Sequence, residues 1–373
     1  MRVDRGSDGP CNGLCAGLFL VTDSVGRCRP YTLTRPILVK LIIQIPCLNE
    51  EGTLAATLAD LPRELEGFDT VEWLVIDDGS TDGTADLARQ LGVDHVIRFN
   101  SNRGLAVAFQ AGLDAALKLG ADVIVNTDAD NQYNAGDIPK LVRPILLGEA
   151  DMVVGTRDVK NHDEFSRTKK VLQFWGSWVV RQASDTEIPD TTSGFRAYSR
   201  EAALRMNVVT RFTYTLETII QAGKGDLALT HVPIQTNPKT RDSKLFRSIP
   251  QYLKRSIGTI LRIYVMYEPL PVFLWPAAVT GLLGTALFAR FGWYYITQDG
   301  AAGHIQSLIV GAVLIIFSLQ LVLLAVISEL LRSNRVLTER TLQRVRKVEL
   351  ELGMRPDGLE EDPVAYAQRE LEG

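Results

Sequence analysis

Asp128 and Asp130, in VIVNTDADNQY at 123–133, are the residues whose types and spacing most directly imply chemistry. Two carboxylates at i and i+2 after an apolar run form a hard-oxygen pair suited to Mg²⁺ or Mn²⁺. One ligates directly, the other directly or through water, and a ligand's phosphate oxygens complete the octahedron. The same residues also suit a plain turn in which Asp and Asn bond their own backbone. Two more polar clusters favour the metal: PCLNEE at 46–51 and DDGSTDGT at 77–84. In the second, Asp77 and Asp78 end an apolar run, Gly79 permits a tight turn, and Thr81 or Asp82 is placed to cap a helix. One aspartate can hold the turn while the other accepts hydrogen bonds from a nucleobase N–H or a ribose hydroxyl. No G-x-G-x-x-G follows the first apolar run and no G-x-x-x-x-G-K-[ST] occurs, so dinucleotide oxidoreductases and P-loop ATPases fit poorly.

The elements that must position these clusters alternate. VKLIIQIP (39–46), VEWLVID (71–77), HVIRF (95–99) and ADVIVNTD (121–128) have strand patterns. Between them, 49–65, 82–92 and 103–120 have helical spacing; Asn49 opens the first, and Gly92 and Gly120 stop the others. Such alternation predicts an α/β fold with right-handed crossovers and a mainly parallel sheet. Ligands of such sheets bind beyond the carboxyl ends of the strands, where all three polar clusters fall.

The chain has 373 residues and a net charge of −4, which argues against general nucleic-acid binding. Its 46% hydrophobic content is concentrated late. Residues 269–289 and 305–328 carry no charge, and each run is long enough to cross a bilayer as a helix. Trp293, Tyr294 and Tyr295 lie between them, as expected at an interface. Basic residues crowd 239–262 and 332–347, which predicts a cytoplasmic body on a two-helix plasma-membrane anchor. Cys11, Cys15, Cys28 and Cys47 lack histidines at zinc spacing and are expected to stay reduced. The short apolar run at 13–21 is discounted as a signal peptide, because translocation would oppose that orientation. The expected organisation is an unstructured extension (1–38) and a catalytic domain (39–240). Amphipathic interfacial helices (241–267), a transmembrane pair (268–331) and a charged tail (332–373) follow.

IPCLNEEGTL, VIDDGSTDGT, NRGLAVAFQAGL, NTDADNQY and DTTSGFRAYSR, in this order, resemble the family 2 inverting glycosyltransferases of GT-A fold. Within that family the chain is similar to the polyprenyl-phosphate hexose synthases. The resemblance implies a nucleotide diphospho-sugar donor, UDP- or GDP-linked. It sets Pro46, Asn49, Glu50, Asp77 and Asp78 around the nucleoside, Asp78 reading the base. It implies Asp128 and Asp130 as metal ligands, with Gln132 close to the metal and diphosphate. Arg157, Arg167 and Arg196 match arginines that hold diphosphate or acceptor phosphate, Arg167 most loosely because its segment departs from the family's commoner pattern. Homo-oligomers occur among similar enzymes.

A divalent cation and arginines aimed at the diphosphate supply the charge its departure needs. A lipid-phosphate acceptor is already anionic and needs no strong base. A hydroxyl acceptor needs a carboxylate, for which Glu217 is the candidate; Glu217 is otherwise a structural acid paired with an arginine. Basic and apolar residues interleave across 241–267, which suits a helix among anionic headgroups and favours the lipid acceptor over a polysaccharide or glycolipid synthase. Q-x-x-R-W, the processive-synthase motif, is absent. A non-catalytic scaffold would not need the intact acidic pair. Residues 336–352 have the pattern of a charged amphipathic helix, suited to an oligomer contact.

Overall fold

The computed structural model describes residues 19–22, 28–31, 39–157, 186, 188–209, 214–225, 227–237, 258, 262, 264–297 and 305–359. Arg167, most of 241–267 and the acidic tail from residue 360 therefore lie outside the described residues. Within residues 1–38 the described part is an antiparallel pair, β1 (Phe19–Thr22) and β2 (Cys28–Tyr31).

The body that follows is built on seven strands: β3 (Lys40–Cys47), β4 (Thr70–Asp77), β5 (His95–Arg98), β6 (Val123–Asn126), β7 (Met152–Arg157), β8 (Arg196–Ser199) and β9 (Leu229–Ile234). They form one sheet in the order β5-β4-β3-β6-β8-β7-β9, and only β8 runs against its neighbours. Helices α1 (Glu51–Asp60), α2 (Thr84–Gln90), α3 (Leu105–Lys118), α4 (Ile138–Leu146), α5 (Arg200–Arg205) and α6 (Thr215–Lys224) flank it.

Alternating side chains explain the layers. Ile42, Ile76, Ile124, Val154 and Tyr198 belong to one apolar cluster, together with α3, α5 and α6. Their chain neighbours Ile43, Val75, Val125, Val153 and Ala197 belong to the cluster on the other face, with α1 and α4. A strand buried on both faces reads as a near-continuous apolar run such as LIIQI, whose one polar residue, Gln44, is buried and hydrogen-bonded to Asn126. Each such Ile, Val or Leu contributes about 1.5–3 kcal/mol when fully buried. Pro46 is tolerated in a central strand because β6 has already ended beside it: β6 pairs only with Leu41–Gln44.

The first helix is shorter than expected. It begins at Glu51 and ends at Asp60, because Leu61 is extended (ψ 137°) before Pro62. Asn49 does not open it. That residue is left-handed (φ 54°) and its Oδ1 accepts from Thr81 N at 2.8 Å, tying two loops together. Gly79 has the turn conformation expected (φ +72°), and a Cβ there would lie 2.5 Å from the Ser101 carbonyl carbon.

Two long helices complete the chain: α7 (Pro269–Thr297) and α8 (Ile305–Glu351). Both are long and apolar enough to cross a membrane, and their apolar surfaces, Leu282, Ile309 and Leu323 among them, are exposed. Ser318 Oγ donates to Ala277 O at 2.7 Å between them. Helix α8 continues unbroken past residue 332 to Glu351; one face of its charged half rests on this chain's own body, while Leu337, Val345 and Val348 stay exposed. A mainly parallel sheet flanked by helices, followed by an apolar hairpin, is the architecture expected.

Candidate active site

Parallel pairing of β3, β4 and β6 brings their carboxyl ends to one edge, and hydrogen bonds weave the loops there into a rim. Asn49 N donates to Ser80 Oγ at 2.9 Å, Glu50 N to Thr84 Oγ1 at 2.9 Å, and Thr57 Oγ1 to Ala129 O at 3.0 Å. Thus the three polar clusters, far apart in sequence, share one edge.

Antiparallel β8 brings a fourth loop there, because Arg196 at its start pairs with Asn126 at the end of β6. Residues 190–195 consequently turn over Asp128. A Cβ on Gly194 would sit 3.0 Å from Asp128 Oδ2 and 2.8 Å from the Tyr214 hydroxyl, so only glycine fits without displacing something. Gly194 N donates to Tyr133 Oη (3.0 Å), and its carbonyl accepts from Asn126 Nδ2 (2.8 Å). Asn126 in turn donates to Tyr214 Oη at 2.9 Å and accepts from Gln44 Nε2 at 2.8 Å. This buried network packs next to Asp128 through Gly194 and Tyr214.

Burial first, and then the charge of Asp130, push the Asp128 carboxyl up to about 7, against the opposing Arg157 and Arg196 cations. A divalent cation between the two carboxylates would relieve that repulsion, so these residues fit one. Among the described residues no group of three or more metal-ligating His, Cys, Asp or Glu side chains converges. A cation held by Asp128 and Asp130 would take its other ligands from diphosphate oxygens or water. Gln132 closes the same turn, its N–H donating to Asp130 Oδ1 at 3.2 Å.

Both aspartates of the second cluster are committed to the loops. Asp77 Oδ1 accepts from Ser80 N at 2.9 Å, and Arg98 Nε lies 3.3 Å from Oδ2. Asp78 accepts from Arg103 N at 2.7 Å and Gly104 N at 2.9 Å. Its carboxyl is still raised, because burial outweighs those two bonds. Asp77 Oδ2 is buried with no hydrogen bond among the described residues, and Asp78 keeps lone pairs beyond its two amide bonds. Glu50 is buried at the rim, where its Oε2 accepts from Thr53 Oγ1 at 2.9 Å.

The arginines divide. Arg157 ends β7 at the same edge, clamped by Asp190 (Nε to Oδ2, 2.7 Å; Nη2 to Oδ1, 3.1 Å) and by Thr192 Oγ1 at 3.0 Å. Burial alone would raise the Asp190 carboxyl, but the guanidinium overrides it and holds it below the usual range. Arg196, expected to hold phosphate, is fully buried instead. It donates to Ser193 O (2.7 Å), Thr215 O (2.9 Å), Thr218 Oγ1 (2.6 Å) and Thr191 O (3.0 Å). Those four bonds tie its fork to backbone and hydroxyl oxygens and shape the 191–194 loop.

Glu217 is also fully buried, accepting from Val209 N at 3.1 Å with Arg335 Nη2 at 3.9 Å. A backbone amide and a nearby guanidinium are the surroundings expected of the structural alternative. Gly194, Tyr214 and Asp190 escaped sequence reasoning. Gly194 and Asp190 lay in view within DTTSGFR, whereas nothing local to Tyr214 signals its contact with Asn126.

Residues 42–205 match the family described as glycosyl transferase family 2. A UDP-N-acetylglucosamine–dolichyl-phosphate N-acetylglucosaminyltransferase of Methanococcus voltae is 31% identical over 214 residues, 52% of this chain and 83% of that protein. An undecaprenyl-phosphate mannosyltransferase of Micrococcus luteus is 31% identical over 43% of this chain and 66% of its own. Glycosyltransferase AglJ of Haloferax volcanii is 29% identical across 82% of this chain and 97% of its own, an extent that must run past the matched domain. A solved structure of Mycobacterium tuberculosis glucosyl-3-phosphoglycerate synthase with Mn²⁺, UDP-glucose and phosphoglyceric acid aligns at a TM-score of 0.49 and 22% identity, over 61% of this chain and 80% of that one. With the acidic pair, the polar loops and the sheet that gathers them on one edge, the chain belongs to glycosyl transferase family 2.

Proposed function

We propose that this protein transfers a hexose from a nucleotide diphospho-sugar to a polyprenyl phosphate at the cytoplasmic face of a membrane, with inversion at the anomeric carbon. The observation that carries the chemistry is the placement of Asp128 and Asp130 on the rim, beneath the 190–195 loop, with the Asp128 carboxyl raised to about 7. Such a pair is poorly stable alone and well suited to Mg²⁺ or Mn²⁺.

In this reading Asp128 and Asp130, with Gln132 beside them, would hold the cation next to the donor diphosphate. A bound divalent ion supplies positive charge to the departing oxygens. Pro46, Asn49, Glu50, Asp77 and Asp78 build the nucleoside end of the crevice. Asp190 and Thr192 fix the Arg157 guanidinium at the same edge, where it adds positive potential to the leaving group. Arg167 is assigned to phosphate by resemblance alone. An acceptor phosphate oxygen attacks the anomeric carbon from the face opposite the diphosphate. The new C–O bond forms as the old one breaks, and the electron pair leaves with the nucleoside diphosphate.

Two observations favour phosphate over hydroxyl as the acceptor. A hydroxyl needs a base, and Glu217 is buried facing Val209 N and Arg335. The apolar hairpin would also hold the body at a bilayer, and two relatives act on dolichyl or undecaprenyl phosphate by name. The test combines purified full-length protein, Mn²⁺ or Mg²⁺, radiolabelled UDP- and GDP-sugars and a short polyprenyl phosphate. One donor should yield a labelled lipid, and Asp130→Asn should abolish it while expression and membrane insertion persist. Label appearing in an oligosaccharide and never in lipid would overturn the acceptor assignment.

A further inference from the structure

The charged half of α8 is bound to the catalytic body along one face. Arg335, Gln343, Arg346 and Leu350 recur at spacings of eight, three and four, which puts them on one side of a helix. Arg335 lies over the Tyr267 ring (4.7 Å), donates to its hydroxyl at 2.9 Å and faces buried Glu217. Gln343 Nε2 donates to Glu201 Oε1 on α5 at 3.1 Å. Arg346 makes the most specific contact. Its Nη1 donates to Leu204 O (3.2 Å) and Met206 O (2.7 Å), closing the end of α5, while Nη2 pairs with Asp114 on α3 at 3.0 Å. Leu350 packs against the apolar cluster that also contains α3 and α5.

The same helix, without interruption, is the second apolar span. At about 1.5 Å per residue, its 47 residues make a rod of about 70 Å, roughly half apolar and half docked. A flexible tether would let the body diffuse and tilt; a continuous helix fixed at one end in lipid and at the other to α3, α5 and α6 does not. Helix α6 also follows Tyr214, whose hydroxyl touches the Asn126–Gly194 network under Asp128. Arg335 of α8 thus faces, at Glu217, the helix that directly follows Tyr214.

We propose that the 332–351 half of α8 is a strut that sets the height and tilt of the catalytic rim above the membrane, with Arg346 and Arg335 as positioning residues. The strut rests on the membrane assignment made above. It predicts that reaction with a bilayer-embedded acceptor depends on the continuity of α8, and that reaction with a water-soluble acceptor does not.

The test inserts two glycines between Leu331 and Arg332 of the full chain, which breaks the rod and leaves every docking contact intact. Protein labelled at Glu149→Cys, with Cys11, Cys15 and Cys28 changed to Ser, is placed in phosphatidylcholine–phosphatidylglycerol nanodiscs carrying a headgroup energy acceptor. Wild type should give a narrow distribution of transfer efficiency and the insertion one at least twice as wide. Amide-exchange protection of 335–351 should remain equal in the two proteins. Transfer to polyprenyl phosphate in the nanodisc should fall at least tenfold, with transfer to a short soluble prenyl phosphate within twofold. A second variant, Arg346→Gln, should widen the distribution partway and lower protection around 204–206. An unchanged distribution in the insertion overturns the strut, as does an equal loss on both acceptors. Failure to float with the nanodisc overturns the membrane assignment and the strut with it. Absence of transfer to either prenyl phosphate by wild type, with the distributions as expected, overturns the acceptor assignment and leaves the strut standing.

Discussion

Replacing Asp128 with Asn should make the protein more stable and unable to use metal. The carboxyl is raised from 3.8 to about 7, first by burial and then by Asp130, so above pH 7 the folded chain carries a charge it resists. Between about pH 4 and 7 the folded state holds a proton that the unfolded state has released, so this group's contribution falls as pH rises through that window. At about 1.4 kcal/mol per unit the penalty at pH 8 is at most about 4 kcal/mol, and partial solvent screening brings it to roughly 2 kcal/mol. Asn has nearly the same volume and no charge. Asp128→Asn should therefore match wild type near pH 4 and exceed it by roughly 2 kcal/mol at pH 8, about 4–8 °C in Tm for a body of this size. Mn²⁺ at a hundredfold excess over its Kd should raise wild type by about 2.7 kcal/mol and leave the variant nearly unmoved. The assay is thermal unfolding of the full chain in detergent at pH 4 to 8, with EDTA or Mn²⁺. A variant that melts below wild type at pH 8 without metal, or equal stabilisation of both by Mn²⁺, would refute the electrostatic account of the pair.

The remaining predictions address the supports. Gly194→Ala places a methyl 3.0 Å from Asp128 Oδ2 and 2.8 Å from Tyr214 Oη; it should cost about 1–3 kcal/mol in denaturation and lower transfer at least tenfold. Arg196→Lys cannot reproduce four divergent hydrogen bonds and should cost about 2–4 kcal/mol, measured by denaturant titration, with the donor KM little changed in protein that remains folded. Glu217→Gln should keep kcat for lipid acceptor within about threefold, because the carboxyl faces Val209 N and Arg335; a loss above a hundredfold would restore it as the base.

Much of the framework was legible because it is repetitive. Apolar runs buried on both faces, with glycine stops and polar clusters after each run, specify crossovers and a common edge by local rules, and β3 to β6 came out within about two residues of their expected bounds. Helical spacing continues to residue 65, but Pro62 forces Leu61 into an extended conformation and ends the first helix at Asp60.

What local pattern determined was the identity of the groups: two carboxylates in a turn after a strand, two more after another, and two spans without charge. Which of those groups are free depended on contacts between distant segments. Asp78 is occupied by amides 25 and 26 residues away, and Arg196 by three carbonyls and a hydroxyl drawn from 191–193 and 215–218. Glu217 meets an arginine 118 positions later, on the helix whose first half is the second apolar run. A side chain's chemistry travels with its type, but its partners are set by burial, since a polar group taken from water must bond whatever the fold brings within reach.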